Sequence, residues 1–396
     1  MDFFRRKLSN GMMVLFEKRS LPVVSFSITN RFGGAYEKSE IKGIAHLIEH
    51  LVFTGTKTRT HEDISREIEK RGGVLNAFTS QEVTSLLFKL PSEHLFSGMD
   101  IIVDMLKNPT FDEKKFEKEK KVILEEIKMY HDDPRLSVGD QIETNLFEKP
   151  FGDRIIGNEK TVSALKRDFV AEYFKKNYSP ENYIVSIVGD ADFEKVCEYL
   201  EKNFKRAGGK SELISIKKKV EDSFEERQGI DQAHLVFAFH TPLMGTKEFF
   251  ALEVLDAYLA NGMSSRLFLK IREEKGLAYV VKSSINAEKS YSFYSVYVGT
   301  TKKAVPEVKK IILEELKGVK KMTEKDLQEA KERVIGLRKV GSEEGLNVMS
   351  ELMFYELVGD ARDYYKHDEE IAKVSLADVT KFADVKEHSF AVIAPK

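Results

Sequence analysis

The sequence predicts an α+β fold of two homologous domains, each an antiparallel-rich β-sheet flanked by helices. Strand-like segments occur in hairpins between helical segments, without the strict strand–helix–strand repeat that builds a parallel sheet. The order of these segments in the first half of the chain is repeated in the second half. A chain of 396 residues, 42% of them hydrophobic, can form a core in each domain.

The elements of the first half follow from residue periodicity and from glycine and proline positions. Alternating residues at 23–29 predict a strand, and Gly33-Gly34 interrupts it before a helix that ends near Gly55. The remaining predicted elements are a helix at 61–71, a hairpin of strands at 74–79 and 83–90, a long charged helix at 110–130, a strand at 183–188 and a helix ending near 204.

A polar stretch rich in lysine and glutamate at 208–228 predicts a linker. It would separate an N-terminal catalytic domain at 1–207 from a homologous C-terminal domain at 229–396. The predicted elements after the linker repeat the earlier order, with a strand at 235–239, helices at 249–259 and 264–274, strands at 279–285 and 291–298, and then a long helix.

Composition excludes some classes of function. Lysine and arginine (63) nearly balance aspartate and glutamate (65), so the strong fields typical of proteins that bind nucleic acids or anionic membranes are not expected. The single cysteine, Cys197, excludes an internal disulfide framework and is typical of a small core residue rather than a nucleophile. No signal peptide, transit peptide or membrane-spanning stretch is recognisable. We expect a soluble, cytoplasmic protein with no nucleic-acid or membrane partner.

The most informative motif is His46-Leu47-Ile48-Glu49-His50. Successive residues of an α-helix turn by about 100°, so His46, Glu49 and His50 lie within an arc of about 100° on one face. Two imidazoles so placed can hold one Zn²⁺, while Glu49 is free to take a proton from the water that the metal activates. The order HxxEH is that of the inverzincin metallopeptidases. The other histidines have no partner at ligand spacing, and segment 252–259, the counterpart in the second half, contains none.

The long charged helix supplies candidates for a third ligand. Thr110 and Glu113 predict a capping box at its start. With Glu119 as the reference, the residues within about 80° of it are Phe116, Val122, Ile123, Glu126, Ile127 and Tyr130, and the opposite side holds Glu117, Lys120, Lys121, Glu125 and Lys128. Carboxylates in the middle of an apolar face are unfavourable unless they are paired or bound to a metal.

Two interpretations of this face are possible. Glu119 and Glu126 could pair with lysines or backbone amides at the edge of a core, which is the more common situation. Because the HxxEH motif needs a third ligand, we favour Glu126 as that ligand. Glu119 is then expected to form a hydrogen bond with a ligand and tune its basicity. Glu125 is expected to face solvent.

These motifs resemble the inverzincin peptidases typified by pitrilysin and insulin-degrading enzyme, and especially the half-length branch that includes the β subunit of mitochondrial processing peptidase and bacterial zinc-protease relatives. That family has HxxEH, a ligand glutamate about 76 residues later and another glutamate seven residues before it; here 126 − 50 = 76 and 126 − 119 = 7. The resemblance covers nearly the whole chain. It implies the processing-peptidase-like metallohydrolase fold, one Zn²⁺ per chain and peptide substrates.

The resemblance also assigns residues outside the metal site. The segment Asn76-Ala77-Phe78-Thr79 resembles the edge strand that binds substrate backbone, which implicates Asn76, Ala77 and Phe78 in substrate binding. The segments at 262–267 and 272–279 match the family's arginine–tyrosine pair. From the residues alone, Arg272 would be a solvated charge and Tyr279 a core residue. The resemblance implies instead that Arg272 positions the substrate and Tyr279 stabilises the oxyanion.

The sequence therefore predicts a zinc metalloendopeptidase with Glu49 as general base. By resemblance, a half-length chain forms a homodimer, or a heterodimer with a paralogue, that encloses a clamshell chamber. In full-length relatives the arginine–tyrosine pair of the last domain faces the zinc of the first. One alternative is a non-catalytic assembly subunit, which typically lacks a ligand or the base, whereas all four residues are present here. Another is a peptide-binding module with structural zinc, although such sites normally have four protein ligands.

Overall fold

The computed structural model describes residues 2–205 and 212–396. The chain divides into two compact units. The first unit comprises Met1–Ile127, Asp153–Ser215 and Gly341–Tyr364. The second unit comprises Lys128–Gly152, Ile216–Val340 and Tyr365–Lys396. Each unit has its own β-sheet and its own hydrophobic core.

The strands form one sheet in each unit. The sheet of the first unit contains β1 (Phe3–Lys7), β2 (Met13–Lys18), β3 (Val23–Asn30), β4 (Val74–Thr79), β5 (Thr84–Pro91) and β6 (Tyr183–Gly189), in the order β1-β2-β6-β3-β5-β4. The sheet of the second unit contains β7 (Ser223–Arg227), β8 (Ala233–His240), β9 (Ala278–Ala287), β10 (Ser292–Thr300) and β11 (Ser389–Pro395), in the order β7-β11-β8-β10-β9.

The helices cover these sheets. In chain order they are α1 (Ile44–Phe53), α2 (His61–Glu69), α3 (Leu95–Lys107), α4 (Glu113–Asp132), α5 (Pro134–Leu146), α6 (Glu159–Ala164), α7 (Arg167–Asn177), α8 (Phe193–Asn203), α9 (Lys247–Leu259), α10 (Arg266–Phe268), α11 (Val305–Gly318), α12 (Glu324–Gly341), α13 (Gly345–Val358), α14 (His367–Lys373) and α15 (Leu376–Thr380). Among residues 2–205 and 212–396, no helix has the length and apolarity needed to cross a bilayer.

The two sheets repeat one pairing pattern. Starting from the edge hairpin, β4-β5-β3-β6 are joined by antiparallel pairs and β6-β2 by a parallel pair. Correspondingly, β9-β10-β8-β11 are joined by antiparallel pairs and β11-β7 by a parallel pair. The predicted α+β fold of two antiparallel-rich sheets flanked by helices is thereby confirmed.

The compact units differ from the contiguous halves 1–207 and 229–396 in two segments. All residues of β6 are buried, so both faces of the first sheet are covered, and α13 from the C-terminal part of the chain packs on β3 and β6. Similarly, α5 from the N-terminal part packs on β8 and β11. Each sheet thus obtains part of its cover from a helix distant in sequence. Part of the predicted linker 208–228 is a strand, since Ser223–Arg227 forms β7 and pairs with β11. Residues 206–211, where the linker was predicted to begin, lie outside the described residues.

The start of α4 corrects the predicted capping box. The helix begins at Glu113, and the Asp112 side chain accepts a hydrogen bond from the amide of Lys115 (3.0 Å). Thr110 is not the cap, because its hydroxyl donates to the carbonyl of Gly55 (3.3 Å). Phe111 adopts a left-handed backbone conformation (φ 43°), which turns the chain just before the helix. Asp112 therefore satisfies one of the free amides of the first turn.

Candidate metal centre

Helix α1 carries the HxxEH motif, and a buried carboxylate fixes its N-terminus. Gly43 precedes the helix with φ 100°, a conformation that favours glycine. Glu37 accepts hydrogen bonds from the amides of Gly43 (3.0 Å) and Ala45 (2.6 Å). Lys42 Nζ lies 3.9 Å from this carboxylate and donates to the carbonyl of Gly34 (2.8 Å). Burial raises the pKa of Glu37 to about 7, against the lowering effect of Lys42 and the two amides.

The packing of α1 leaves one polar face. Its fully buried apolar residues are Ile44, Ala45, Leu47, Ile48, Leu51 and Val52. His46 is 9% exposed, and the His50 side chain is 22% exposed. Burial of the apolar residues holds the helix in one rotational position, in which His46 and His50 lie against Glu126 of α4.

Helix α4 presents its two glutamates to this face. Phe116 and Ile123 are buried in the core of the first unit, and they orient the helix. The side chains of Glu119 and Glu126 are 19% and 23% exposed, whereas Glu125 is exposed. The predicted apolar face is correct for the aromatic and isoleucine positions, but Val122, at its edge, is 42% exposed.

The three predicted ligands converge. The Nε2 atoms of His46 and His50 each lie 3.7 Å from Glu126 Oε2. One ligand atom from each of the three residues lies within 4.8 Å of the others, and no other such group occurs among residues 2–205 and 212–396. Two atoms about 2.05 Å from one tetrahedral Zn²⁺ would be about 3.4 Å apart. The donor set and its spacing therefore fit a zinc ion.

Glu119 contacts a candidate ligand rather than joining the cluster. His50 Nδ1 donates a hydrogen bond to Glu119 Oε2 (3.2 Å). This bond places the proton on Nδ1 and leaves Nε2 of His50 free to bind a metal. Glu119 thus lies against a candidate ligand, outside the three converging residues.

The pKa values of the two histidines shift in opposite directions because their neighbours differ. Burial, with the charge of His50, lowers the pKa of His46 to about 3, so this imidazole is neutral over the ordinary pH range, as a metal ligand must be. Burial also opposes the charged form of His50. The bond to Glu119 and the charges of Glu126 and Glu49 together outweigh that effect and raise the pKa of His50. Burial raises the pKa of Glu126, against the lowering effect of His50.

Glu49 lies beside the cluster and is held by a residue that the sequence analysis missed. The hydroxyl of Thr79, the last residue of β4, donates to Glu49 Oε2. Burial raises the pKa of Glu49, against the lowering effects of Thr79 and His50. The alternation of a strand could have pointed to Thr79, because residues 77 and 79 share one face of β4. The predicted substrate residues Asn76, Ala77 and Phe78 precede it on β4, which among the described strands pairs with β5 alone.

Arg272 and Tyr279 lie in the second unit and contact each other. Arg272 is part of a π-helical turn, Leu269–Glu274, that continues α10 and replaces the last part of the predicted helix at 264–274. Its guanidinium carbon is 4.7 Å from the ring centroid of Tyr279 and 4.9 Å from that of Phe268. Tyr279 is 76% exposed, so it is not a core residue. The contact with Phe268 was not predicted. Cys197 is buried, as expected of a core residue.

Two family models match the chain. The model described as insulinase, peptidase family M16, matches residues 13–159, which include the HxxEH motif and Glu126. The model described as the peptidase M16 inactive domain matches residues 164–334. The boundary between the two matches separates the metal-ligand candidates from the arginine–tyrosine pair.

Relatives align along nearly the full chain. The uncharacterised zinc protease YmxG of Bacillus subtilis is 30% identical over 405 residues, covering 99% of this chain and 98% of the relative. An uncharacterised zinc protease of Rickettsia bellii is 32% identical over 338 residues, covering 84% of this chain and 81% of the relative.

Solved structures share the fold at lower identity. A protease from Helicobacter pylori has a TM-score of 0.91 at 20% identity, covering 100% of this chain and 99% of the other. A structure from Pseudomonas fluorescens described as a peptidase M16 inactive domain has a TM-score of 0.89 at 16% identity, with the same coverage.

Proposed function

Since the chain belongs to the M16 peptidase family, we propose that it is a zinc-dependent endopeptidase that cleaves peptides or unfolded protein segments. The observation that carries this proposal is the convergence of His46, His50 and Glu126 beside Glu49. The relatives' designation as zinc proteases supports zinc as the metal.

Different side chains of the first unit bind the metal, transfer the proton and position these groups. When bound by His46, His50 and Glu126, zinc supplies the Lewis acidity that activates water and polarises a peptide carbonyl. Glu49 accepts the proton of the attacking water and later delivers it to the leaving amine nitrogen. The hydroxyl of Thr79 donates a hydrogen bond to Oε2 of Glu49. This bond orients the carboxylate and leaves Oε1 free to accept the proton. Glu119 holds His50 in the tautomer that a ligand needs.

The substrate would bind as an added strand on β4. This strand lies at the end of the sheet and its outer edge has no strand partner among the described residues. Main-chain hydrogen bonds along Asn76, Ala77 and Phe78 would supply affinity, and side-chain pockets would supply preference. Because Thr79 follows directly and contacts Glu49, a strand added here would run past the base.

Two further arguments disfavour a non-catalytic role. The match to the inactive-domain model begins at residue 164, beyond His46, Glu49, His50 and Glu126. The cluster also has three protein ligands, whereas structural zinc sites normally have four. An open coordination position is what hydrolysis requires.

The proposal is tested by metal analysis together with cleavage of an internally quenched peptide. We expect about one zinc per chain and turnover that stops on chelation and returns with added zinc. A zinc-loaded chain that cleaves none of a set of unfolded peptides would contradict the proposal. Turnover that persists after complete zinc removal would contradict it equally.

We further propose that two protomers share each active site. The candidate metal ligands belong to the first unit, and Arg272 and Tyr279 belong to the second. In the full-length relatives that the sequence resembles, the arginine–tyrosine pair of one domain faces the zinc of another. Tyr279 would stabilise the oxyanion from the partner protomer, and Arg272 would position the substrate. The exposure of Tyr279 supports a role towards a partner or substrate.

Mixing two inactive variants tests this sharing. We expect Glu49→Gln and Tyr279→Phe homodimers each to be impaired. In a mixed dimer with sharing in trans, one site carries both lesions and the other none, so activity should rise towards half the wild-type value per dimer. Without sharing, each site carries one lesion and mixing restores nothing. Subunit exchange is verified with two affinity tags, and exchange without recovery would refute the shared site.

A further inference from the structure

A cavity opens beside the metal centre in the first unit. It has a volume of about 320 Å³. Its lining residues are Glu49, His50, Phe53, Thr54, His61, Lys115, Lys118 and Glu119. The volume lies at the lower end of ligand pockets, about 300–1,000 Å³, so one side chain of a substrate is a suitable occupant. Because Glu49 and His50 are among the lining residues, that side chain would belong to a residue next to the scissile bond.

Part of the cavity lining is basic. Lys115 and Lys118 lie one turn apart on α4 and both line the cavity, and His61 lines it from the start of α2. Phe53, at the end of α1, is partly buried and supplies an aromatic wall. The cavity therefore combines an aromatic wall with two ammonium groups, and we call it the lysine-rimmed pocket.

No carboxylate among the described residues neutralises the charges of Lys115 and Lys118. Lys115 Nζ donates to the carbonyl oxygen of Thr54, which is a neutral acceptor. Within residues 2–205 and 212–396, neither Lys115 nor Lys118 forms an ion pair, although many other lysines of the chain do so. A carboxylate that entered the pocket could bind ammonium groups that are not already neutralised.

The acidic residues that line the pocket are already hydrogen-bonded. Glu119 accepts a hydrogen bond from His50 (3.2 Å), and Glu49 accepts one from Thr79. The lysines Lys115 and Lys118 line the same cavity, and no described carboxylate is paired with them. The charges of the lining thus favour a substrate side chain with an anionic tip.

We propose that the lysine-rimmed pocket receives an acidic side chain that flanks the scissile bond, so the enzyme selects peptides with glutamate or aspartate there. This inference rests on the proposed peptidase function and adds a substrate class to it. Because the lysine rim is partly exposed to solvent, we expect a moderate preference, about 3- to 10-fold in kcat/KM for glutamate over glutamine. The preference should shrink as ionic strength rises.

A charge-reversal experiment tests the pocket. Peptides blocked at both ends, which removes chain-terminal charges, carry Glu, Gln or Lys at one position, and mass spectrometry locates the cleaved bond. In the wild type, the bond next to Glu should be cut most efficiently. The Lys118→Gln variant should lose most of this preference, and Lys118→Glu should favour the Lys peptide. Lys121→Glu is the matched control, because Lys121 is exposed on the same helix and does not line the pocket.

The outcomes separate this inference from the proposed function. Cleavage of the three peptides at equal rates by the wild type would overturn the pocket assignment and leave the peptidase intact. A preference that Lys118→Glu and Lys121→Glu change to the same extent would also overturn it, because a general change of net charge would explain both. Failure to cleave any peptide in the presence of zinc would count against the peptidase function itself.

Discussion

A Glu49→Gln variant is expected to bind zinc as the wild type does and to lose peptide cleavage by about 10⁴-fold or more. The amide has nearly the shape of the carboxylate, and its oxygen can still accept the hydrogen bond from Thr79. It cannot accept the proton of the attacking water. General acid–base catalysis contributes about 10²–10⁴-fold, and Glu49 would act both as base and as acid. The donor cluster does not include Glu49, so metal binding should be unaffected.

The measurement is kcat/KM on an internally quenched peptide, with zinc content determined on the same samples. Glu125→Gln serves as the control, because it removes an exposed carboxylate of α4 that points away from the cluster. Substantial turnover by zinc-loaded Glu49→Gln would show that another group activates the water. Loss of zinc from this variant would show that Glu49 is a ligand and that the division of roles is wrong.

The sequence could predict what depends on local periodicity. The helical spacing of His46, Glu49 and His50, and that of Glu119 and Glu126, follows from about 3.6 residues per turn, so the order of residues alone indicates which side chains share a face. The repeated order of elements likewise predicted two similar sheets, and the pairing pattern confirms it.

Contacts between distant segments were not predictable in this way. Glu37 supports α1 from outside the helix, and Thr79 reaches Glu49 from a strand 30 residues later. Such contacts depend on tertiary packing, which no short pattern encodes.

Element and unit boundaries differ from the predicted ones where tertiary structure decides them. Thr110 and Glu113 match the sequence pattern of a capping box. In the structure, Phe111 has a left-handed backbone conformation, and the side chain of Asp112 caps the helix instead. The stretch 223–227 is polar enough for a linker, yet it forms β7 because β11 offers a free edge. Helices α5 and α13 each belong to the compact unit of the other half of the chain, because each covers a face of that unit's sheet.

Replacing Glu126 by glutamine is expected to weaken zinc binding by more than about 100-fold and to abolish cleavage. Glu126 is the only carboxylate whose oxygen lies 3.7 Å from the Nε2 atoms of both histidines among the described residues. An amide oxygen is neutral and a much poorer zinc ligand than a carboxylate. Even the loss of a hydrogen-bond partner of a ligand costs about 10–100-fold in affinity, so the loss of a ligand should cost more.

Glu125→Gln is the matched comparison, because it makes the same chemical change one residue earlier, on the exposed side of α4. Zinc affinity is measured by competition with a chromogenic chelator, and circular dichroism verifies that both variants are folded. We expect Glu125→Gln to match the wild type in zinc affinity and cleavage. Equal zinc affinity in the two variants would remove Glu126 from the metal site. Because the neighbouring residues differ by about 100° around the helix axis, that result would also show that α4 presents a different face to His46 and His50.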